Sequence, residues 1–263
     1  MRIAGIQTDI AWEDPPENFR RVREMARDAA DRGARLLVLP EMFATGFSMD
    51  AALVSGFSAE TRSFLSELAG DLGVFVLGGY GEPANPRPAN ACSVFDPAGE
   101  EILHYRKIHP FSMAGEDVHY LAGDSVATAE VEGVRVTPQI CYDLRFPEPF
   151  RAASAGTDLF CVVANWPEPR RRHWSLLLRA RAIENQAYVL GVNRVGSGDG
   201  LVYTGDSALL DPMGDQVEGS EAGRPGIVLA DVSADEVART RARFGFLNDR
   251  KPDLYAKLDY PGR

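Results

Sequence analysis

Cysteine is scarce in this sequence: only Cys92, Cys141 and Cys161 occur among 263 residues. The number is odd and no CxxC spacing is present, which excludes a disulfide framework and a structural zinc site built on cysteines. The four histidines, at positions 104, 109, 119 and 173, form no HxH or HExxH pattern, and no glycine-rich phosphate loop occurs. We therefore expect no metal and no cofactor, and a cysteine with a special role should be a reactive one.

Basic charge and long apolar runs are also lacking. The 28 lysines and arginines are outnumbered by 38 aspartates and glutamates, which gives a net charge of −10, whereas nucleic-acid binding needs clustered cations. The densest basic run, Arg170 to Arg172, is interpreted as a solvated turn before a helix, with steering of an anionic substrate as the alternative. No stretch approaches the ~20 apolar residues of a spanning helix, and the N-terminal residues lack the apolar segment of a signal peptide. The sequence predicts a cytoplasmic protein without nucleic-acid or membrane partners.

The first part of the chain alternates strands and helices. Residues 3–8 predict a buried strand, and Asp14 followed by two prolines predicts the start of a helix that Gly33 ends. The other elements predicted here are strands at 35–39 and 74–77, a helix at 58–73 and a hairpin about residues 96–99. The order is strand, helix, strand, helix, strand and then hairpin.

The second part repeats this pattern. Two antiparallel runs at 126–130 and 134–140 lead into Cys141, and an Asp-Pro-x-Gly turn at 211–214 echoes the one at 96–99. The other elements predicted here are a helix from Pro147, strands at 158–164 and 188–195, and a helix at 174–186 with apolar Leu177, Leu178 and Ile183. Two matching halves predict a single α/β domain in which two sheets pack face to face with helices outside, a four-layer αββα sandwich.

Three residues with chemically useful side chains each follow a predicted strand: Glu41, Lys107 and Cys141. Taken singly, such residues are more often a surface carboxylate, a solvated lysine and a core cysteine. Together they are the groups that a thiol hydrolase needs. A free thiol with a pKa near ~8.5 is mostly protonated at neutral pH, so Cys141 requires a nearby base or cation, and Lys107 could supply that field.

The contexts of these residues resemble the nitrilase superfamily, whose Glu-Lys-Cys triad occurs in this chain order. The matching segments are LPEMF at Glu41, YRKIHPF at Lys107, CYDLRFPE from Cys141, VVANWP at 162–167, HWSLLLRARAIENQAYVLGVNRVG at 173–196 and GDSALLDPMGD at 205–215. The resemblance covers nearly the whole chain. It implies a carbon–nitrogen hydrolase domain at residues 1–243, followed by a C-terminal arm at 244–263 that lies over the body or at a subunit interface.

The resemblance also implies roles for individual residues. Glu41 would act as general base, Cys141 as the nucleophile that forms a thioester, and the Lys107 ammonium with the backbone N–H of Tyr142 as donors to the oxyanion. The family carries a second glutamate after the lysine, and Glu116 is the best match here, with an exposed loop carboxylate as the alternative.

Other residues are candidates for the pocket. Phe43, Tyr142 and Trp166 are predicted walls, although aromatic residues at strand ends are often core, and His119 is either a pocket residue or a structural histidine. Asp143 and Arg145 are interpreted first as an ion pair that holds the turn after the nucleophile, and Arg145 second as a ligand for a substrate carboxylate. His109 is expected to order its loop, and Cys92 and Cys161 are expected to be structural.

Within the superfamily the chain is similar to the omega-amidase branch, through CYDLRFP, ANWP and the HWxxLLxARAIENQAYV run. The branch implies hydrolysis of 2-oxoglutaramate to 2-oxoglutarate and ammonia, with 2-oxosuccinamate as a further substrate. N-carbamoyl amino acid or ureido hydrolase, aliphatic amidase and nitrilase activities share the triad and stay open, and a non-catalytic binding or scaffold protein on the same fold is the alternative of a different class. The resemblance further implies a homodimer, with the helix near Trp174 as the candidate contact surface.

Overall fold

The computed structural model describes residues 1–258 of the chain, and it contains two six-stranded sheets. The strands are β1 (Arg2–Gln7), β2 (Leu36–Val38), β3 (Phe75–Glu82), β4 (Ala89–Phe95), β5 (Glu101–Arg106), β6 (Ala129–Val131), β7 (Val134–Ile140), β8 (Leu159–Ala164), β9 (Tyr188–Asn193), β10 (Val195–Gly198), β11 (Leu201–Thr204), β12 (Ala208–Leu210), β13 (Gln216–Gly219) and β14 (Gly226–Asp231). The helices are α1 (Pro15–Asp31), α2 (Ala51–Gly56), α3 (Ser58–Leu72), α4 (Glu116–His119), α5 (Pro147–Ala153), α6 (Arg171–Asn185), α7 (Ala234–Arg243) and α8 (Pro252–Tyr255).

The two sheets have matching topologies. The first has the order β14-β1-β2-β3-β4-β5 and the second β13-β12-β9-β8-β7-β6. Each has three parallel strands at its centre, β1-β2-β3 or β7-β8-β9, with antiparallel strands on both sides. Strands β10 and β11 form a separate hairpin. The internal repeat seen in the sequence is therefore a repeat of sheet topology.

Apolar side chains from the two sheets form one core between them, and a helical layer covers each outer face. The inner core combines residues of the first sheet such as Ile3 and Val94 with residues of the second such as Val163 and Val192. Helices α1 and α3 pack on the first sheet, and α5 and α6 pack on the second. The predicted four-layer αββα arrangement in a single domain is confirmed. Each sheet needs a covering layer on both of its apolar faces, which the partner sheet and the helices supply.

Local sequence signals set several element boundaries. The side chain of Asp14 accepts a hydrogen bond from the Glu17 N–H at 3.2 Å and caps α1. Gly73 ends α3 with a φ of +63°, a left-handed conformation that glycine adopts without strain.

Other local predictions need correction. Helix α6 begins at Arg171, so the basic run does not precede the helix as a whole. Arg170 ends a 3-10 turn, and Arg171 and Arg172 are the first residues of α6. Within α6, Leu178 is buried as predicted, but Ile183 is 45% exposed because it faces away from the sheet. Helix α2 and the β10–β11 hairpin were not predicted.

The C-terminal segment folds back over the body as far as the structure describes it. The Gln186 side chain donates to the Phe244 carbonyl at 2.7 Å, and Arg250 donates to the Ser154 hydroxyl at 3.3 Å. Residues 259–263 of the predicted arm lie outside the described residues. Within residues 1–258, no helix combines the length and apolarity needed to cross a membrane.

Candidate active site

Both sheets contribute to the candidate active site. Glu41 follows β2 and Lys107 follows β5, both in the first sheet, whereas Cys141 follows β7 in the second. Glu41 and Lys107 are completely buried. Gly79 of β3 makes room for the first of them, since a Cβ at that position would lie 2.9 Å from the Glu41 Cα. The three residues thus come together only because the sheets pack face to face.

The Lys107 ammonium lies between two carboxylates. Its Nζ is 2.9 Å from Glu41 Oε1 and 2.8 Å from Glu116 Oε2. Burial alone would lower the pKa of Lys107, but the negative charges of Glu116 and Glu41 outweigh burial and raise it. Burial raises the pKa of Glu116, and the nearby lysine opposes that shift. The lysine is therefore a permanent cation whose compensating charges are buried with it.

Two asparagines without a predicted role hold the carboxylates in place. The Asn90 side-chain amide donates to Glu41 Oε1 and to Glu116 Oε1, both at 2.8 Å. The Asn165 backbone N–H donates to Glu41 Oε2 at 2.8 Å, and its side chain donates to the Glu41 carbonyl at 2.6 Å. The only available signal was position, because Asn90 lies in β4 opposite the end of β5 and Asn165 follows β8 in the VVANWP segment.

Cys141 is the first residue of a 3-10 turn, and its backbone has a φ of +45°, which is uncommon for a residue with a side chain. Its Sγ lies 3.9 Å from the Asn165 carbonyl oxygen. Burial and the charge of Glu41 raise the pKa of Cys141, and the opposing effect of Lys107 is smaller. The resting group is therefore a thiol. A base must therefore remove the proton when the sulfur attacks, which is the role that the resemblance implies for Glu41.

Asp143 holds the turn that carries the nucleophile, but Arg145 is not its partner. Its completely buried carboxylate accepts hydrogen bonds from the Tyr105 hydroxyl, the Ile140 N–H and the His109 N–H at 2.8, 3.1 and 2.9 Å, and it contacts His109 Nδ1 at 2.8 Å. The predicted ion pair with Arg145 is absent because that side chain points into the pocket. The Asp143 carboxylate therefore connects Ile140, at the end of β7, to His109, in the segment that follows Lys107.

A pocket of about 210 Å³ opens above Cys141. Its walls are mostly apolar, and its lining residues are Phe47, Met49, Phe111, Ala114, Cys141, Tyr142, Arg145, Asn165, Trp166, Pro167, Arg170, Asp199, Leu201 and Tyr203. The Arg145 guanidinium lies 4.8 Å from the Trp166 ring centroid and the Arg170 guanidinium 5.3 Å from that of Phe111. Neither arginine pairs with a carboxylate among residues 1–258. No group of three or more acidic, histidine or cysteine side chains in this part of the chain is placed to hold a metal ion.

Two predicted pocket residues lie elsewhere. Phe43 is completely buried and packs against Phe19 and Phe64, with ring centroids 6.0 and 5.9 Å away, because the chain turns at Met42 and directs this ring under the helices. His119 is exposed at the end of α4, whereas Glu116 at the start of the same helix is buried. Neither lines the pocket.

Other predicted residues are where the sequence placed them. Tyr142, Arg145 and Trp166 line the pocket, and Glu116 binds the lysine. The pocket residues Phe47, Phe111, Asp199 and Tyr203 were missed. Cys92 and Cys161 are completely buried in the core between the sheets.

A thiol, two carboxylates and an ammonium beside one pocket define a class of protein, the hydrolases with a cysteine nucleophile. Comparison with known proteins gives the family. The carbon-nitrogen hydrolase family matches residues 2–242. Among curated proteins, the omega-amidase YafV of Escherichia coli strain K12 is 37% identical over 93% of this chain and 94% of its own. The 2-oxoglutaramate amidase of Bacillus subtilis is 35% identical over 96% of this chain and 98% of its own.

A solved structure agrees with these relatives. A carbon-nitrogen hydrolase superfamily protein from Xanthomonas campestris, solved with an arsenic adduct in its active site, superposes with a TM-score of 0.88 at 34% identity, covering 95% of this chain and 97% of that one. The chain therefore belongs to the carbon-nitrogen hydrolase family and is a hydrolase of carbon–nitrogen amide bonds. The resemblance inferred from the motifs is confirmed.

Proposed function

We propose that this chain is an omega-amidase that hydrolyses the terminal amide of 2-oxo dicarboxylic acid monoamides, above all 2-oxoglutaramate to 2-oxoglutarate and ammonia. The observation that carries the proposal is the buried cluster of Glu41, Lys107 and Glu116 together with Cys141, which lines a pocket that also holds Arg145 and Arg170. Neither of these two arginines has a carboxylate partner among residues 1–258. The names of the omega-amidase and 2-oxoglutaramate amidase relatives support the substrate class.

The reaction proceeds through a thioester in this proposal. Glu41 accepts the thiol proton as Cys141 Sγ forms a bond to the amide carbon, and it passes that proton to the nitrogen as the carbon–nitrogen bond breaks and ammonia leaves. Water then attacks the thioester carbon while Glu41 takes up one of its protons, and the sulfur leaves as the thiol when that proton returns. One carboxylate serves both halves because both need a base at the same position.

Negative charge on the former carbonyl oxygen needs donors that are already in place. We assign this role to the Lys107 ammonium and the Tyr142 backbone N–H. Lys107 cannot move freely, because Glu41 and Glu116 bind it on two sides, and a fixed donor in a site shielded from water stabilises a developing charge more than a mobile one does. Glu116 is a positioning residue in this scheme, since it contacts the lysine.

Arg145 and Arg170 are assigned to the free carboxylate of the substrate. Each guanidinium lies against an aromatic wall of the pocket and has no carboxylate partner among residues 1–258. An arginine can bind a carboxylate with two parallel hydrogen bonds. An omega-amide of a dicarboxylic acid would place its amide at Cys141 and its anionic end at these arginines.

Ammonia release tests the proposal directly. The panel contains 2-oxoglutaramate, 2-oxosuccinamate, glutamine, an N-carbamoyl amino acid, an aliphatic amide and an aliphatic nitrile. We expect the highest kcat/KM on the two oxo acids and no turnover by Cys141→Ala. A clearly higher kcat/KM on the carbamoyl compound or the nitrile would contradict the substrate assignment and favour the alternative activities.

Variants of the arginines test the carboxylate assignment. Arg145→Met should lower kcat/KM on 2-oxoglutaramate by roughly 10- to 100-fold, the value of a hydrogen bond to a charged group. Arg172→Met is the matched control, because Arg172 is an exposed arginine of the same basic run and does not line the pocket. Equal rates for the wild type and Arg145→Met, in a folded protein, would remove Arg145 from the assignment.

We further propose that two copies associate through α6. This helix exposes Leu176 and Ile183, at 53% and 45%, on the face directed away from the sheet. Sizing in solution should give a dimer that an Ile183→Asp substitution weakens, and a monomeric wild type would contradict this. A cytoplasmic location also stays a prediction, which cell fractionation can check.

A further inference from the structure

The pocket contains a buried tyrosine to which the proposed reaction gives no role. Tyr203 lies on β11, lines the pocket and is only 3% exposed. No residue among 1–258 forms a hydrogen bond with its hydroxyl, whereas the hydroxyls of Tyr80, Tyr105 and Tyr120 have partners; buried Tyr188 also has none, but it does not line the pocket. The side chain is buried as a whole, but its hydroxyl is not among the fully enclosed polar atoms without a partner in residues 1–258. The hydroxyl is therefore accessible from the pocket and available to a ligand.

The hydroxyl is a neutral hydrogen-bond donor close to the reacting groups. Burial raises the pKa of Tyr203 to about 12; the cation of Arg194 opposes that shift, and the negative charge of Glu41 adds to it. The group therefore keeps its proton throughout the working pH range. Tyr203 and Cys141 line the same pocket.

The buried side chain of Arg194 stacks on the ring of Tyr203. The Arg194 guanidinium carbon lies 4.5 Å from the ring centroid, and the side chain is completely buried. Its Nη2 donates to the carbonyls of Ile10 and Ser197 at 2.7 and 3.0 Å, and its Nε donates to that of Val195 at 3.1 Å. Stacking a cation that is itself held by three carbonyl groups on the ring fixes the ring, and with it the position of the hydroxyl oxygen. A donor held in this way gives more selectivity than a mobile one.

We propose that Tyr203 recognises the 2-oxo group of the substrate by donating a hydrogen bond to its oxygen. This inference rests on the proposed function. The substrate has three polar groups: the amide is required at Cys141, and the carboxylate is assigned to Arg145 and Arg170, so the oxo oxygen is the acceptor left without a donor. Tyr142, the other pocket tyrosine, is partly exposed and its ring lies 5.8 Å from the Arg145 guanidinium, so it belongs to the carboxylate end.

The experiment compares two substrates that differ only in this group, 2-oxoglutaramate and glutaramate, which lacks the 2-oxo oxygen. Wild type should favour 2-oxoglutaramate in kcat/KM by about tenfold, the value of one hydrogen bond of this kind. Tyr203→Phe keeps the ring on Arg194 and removes only the hydroxyl. It should lose about tenfold on 2-oxoglutaramate and nothing on glutaramate, so that the preference disappears.

Two further variants complete the comparison. Tyr188→Phe removes a hydroxyl from a tyrosine in the inner core and should retain the preference. Tyr142→Phe should also retain it, and loss of the preference in that variant alone would assign the oxo group to Tyr142 and overturn the inference.

The possible failures are distinguishable. An equal loss on both substrates in Tyr203→Phe would mean that the hydroxyl contacts a part they share, and no loss on either would mean that it contacts neither; both results overturn the inference. A wild type with equal kcat/KM on both substrates also overturns it and leaves the omega-amidase proposal intact. A wild type that releases no ammonia from either substrate refutes the proposed function itself.

Discussion

Replacement of Asp143 by asparagine isolates the contribution of one buried carboxylate to the shape of the active site. The change keeps the size of the side chain and removes one acceptor oxygen. In the wild type, Oδ1 faces the His109 N–H and His109 Nδ1, and Oδ2 faces the Ile140 N–H and the Tyr105 hydroxyl. Each oxygen therefore serves one backbone N–H and one side chain.

The cost follows from what each partner can do. The Tyr105 hydroxyl can turn and accept, and a neutral His109 ring can accept at Nδ1. A backbone N–H can only donate, so either orientation of the new amide leaves the N–H of His109 or of Ile140 facing another N–H. One unpaired buried donor costs about 1–3 kcal/mol, and the remaining hydrogen bonds lose the strength of a charged acceptor. We expect a total loss of about 2–4 kcal/mol in the free energy of unfolding.

Activity should fall together with stability, because Asp143 connects the segments that carry Lys107 and Cys141. A displacement of about 1 Å between reacting groups can cost about 100-fold in rate. Urea unfolding gives the stability change, and ammonia release under saturating substrate gives kcat. Asp249→Asn is the control, since Asp249 is exposed and makes no side-chain hydrogen bond within residues 1–258. An Asp143→Asn protein within about 0.5 kcal/mol of wild type and with unchanged kcat would refute this reasoning.

Three further perturbations concern the buried charges. Lys107→Met leaves Glu41 and Glu116 without their cation and should destabilise the fold by about 3–5 kcal/mol at pH 7, measured by chemical denaturation; a stability equal to wild type would contradict the ion cluster. Burial raises the pKa of Glu116, so this carboxylate gains its proton and releases the lysine at a pH above the ordinary carboxyl pKa of ~4.3. We therefore expect kcat/KM to decline as the pH falls towards ~4.3. A pH profile in which kcat/KM stays constant down to ~4.3 would disprove this. Asn90→Ala removes one charge-assisted hydrogen bond from each glutamate and should lower kcat at least about tenfold, with Asn90→Asp lower still because it adds a third carboxylate; the reverse order would refute the assigned role.

Much of the fold was accessible from the sequence because its signals are local. Asp14 and Gly73 mark helix ends through their own backbone chemistry, and the two Asp-Pro-x-Gly turns mark hairpins. The repeat of these signals predicted two sheets, and the end of a strand predicted where Glu41, Lys107 and Cys141 would lie. That these three residues meet was implied by the resemblance of their contexts to the nitrilase superfamily.

The rest depended on contacts between distant segments. Nothing in the sequence around Asn90 distinguishes it from other asparagines near a hairpin, because its role depends on the contact between β4 and Glu41. Asp143 likewise lies 34 positions from His109, which it binds. Phe43 and Phe47 are only four positions apart, and the left-handed backbone at Met42 helps to direct the first into the core, whereas the second lines the pocket. Apolar patterning cannot make that distinction, because both environments favour an aromatic ring.

The division of the catalytic groups between two sheets has a consequence for how the enzyme loses activity. Cys141 follows a strand of one sheet and Glu41 a strand of the other, so every conformation that separates the two sheets is inactive, even if it keeps its secondary structure. Heat or denaturant should therefore abolish turnover no later than it opens the inner core. A chain cut between β5 and β6 should regain activity only when its two fragments reassemble, because the second fragment also supplies β14 to the first sheet.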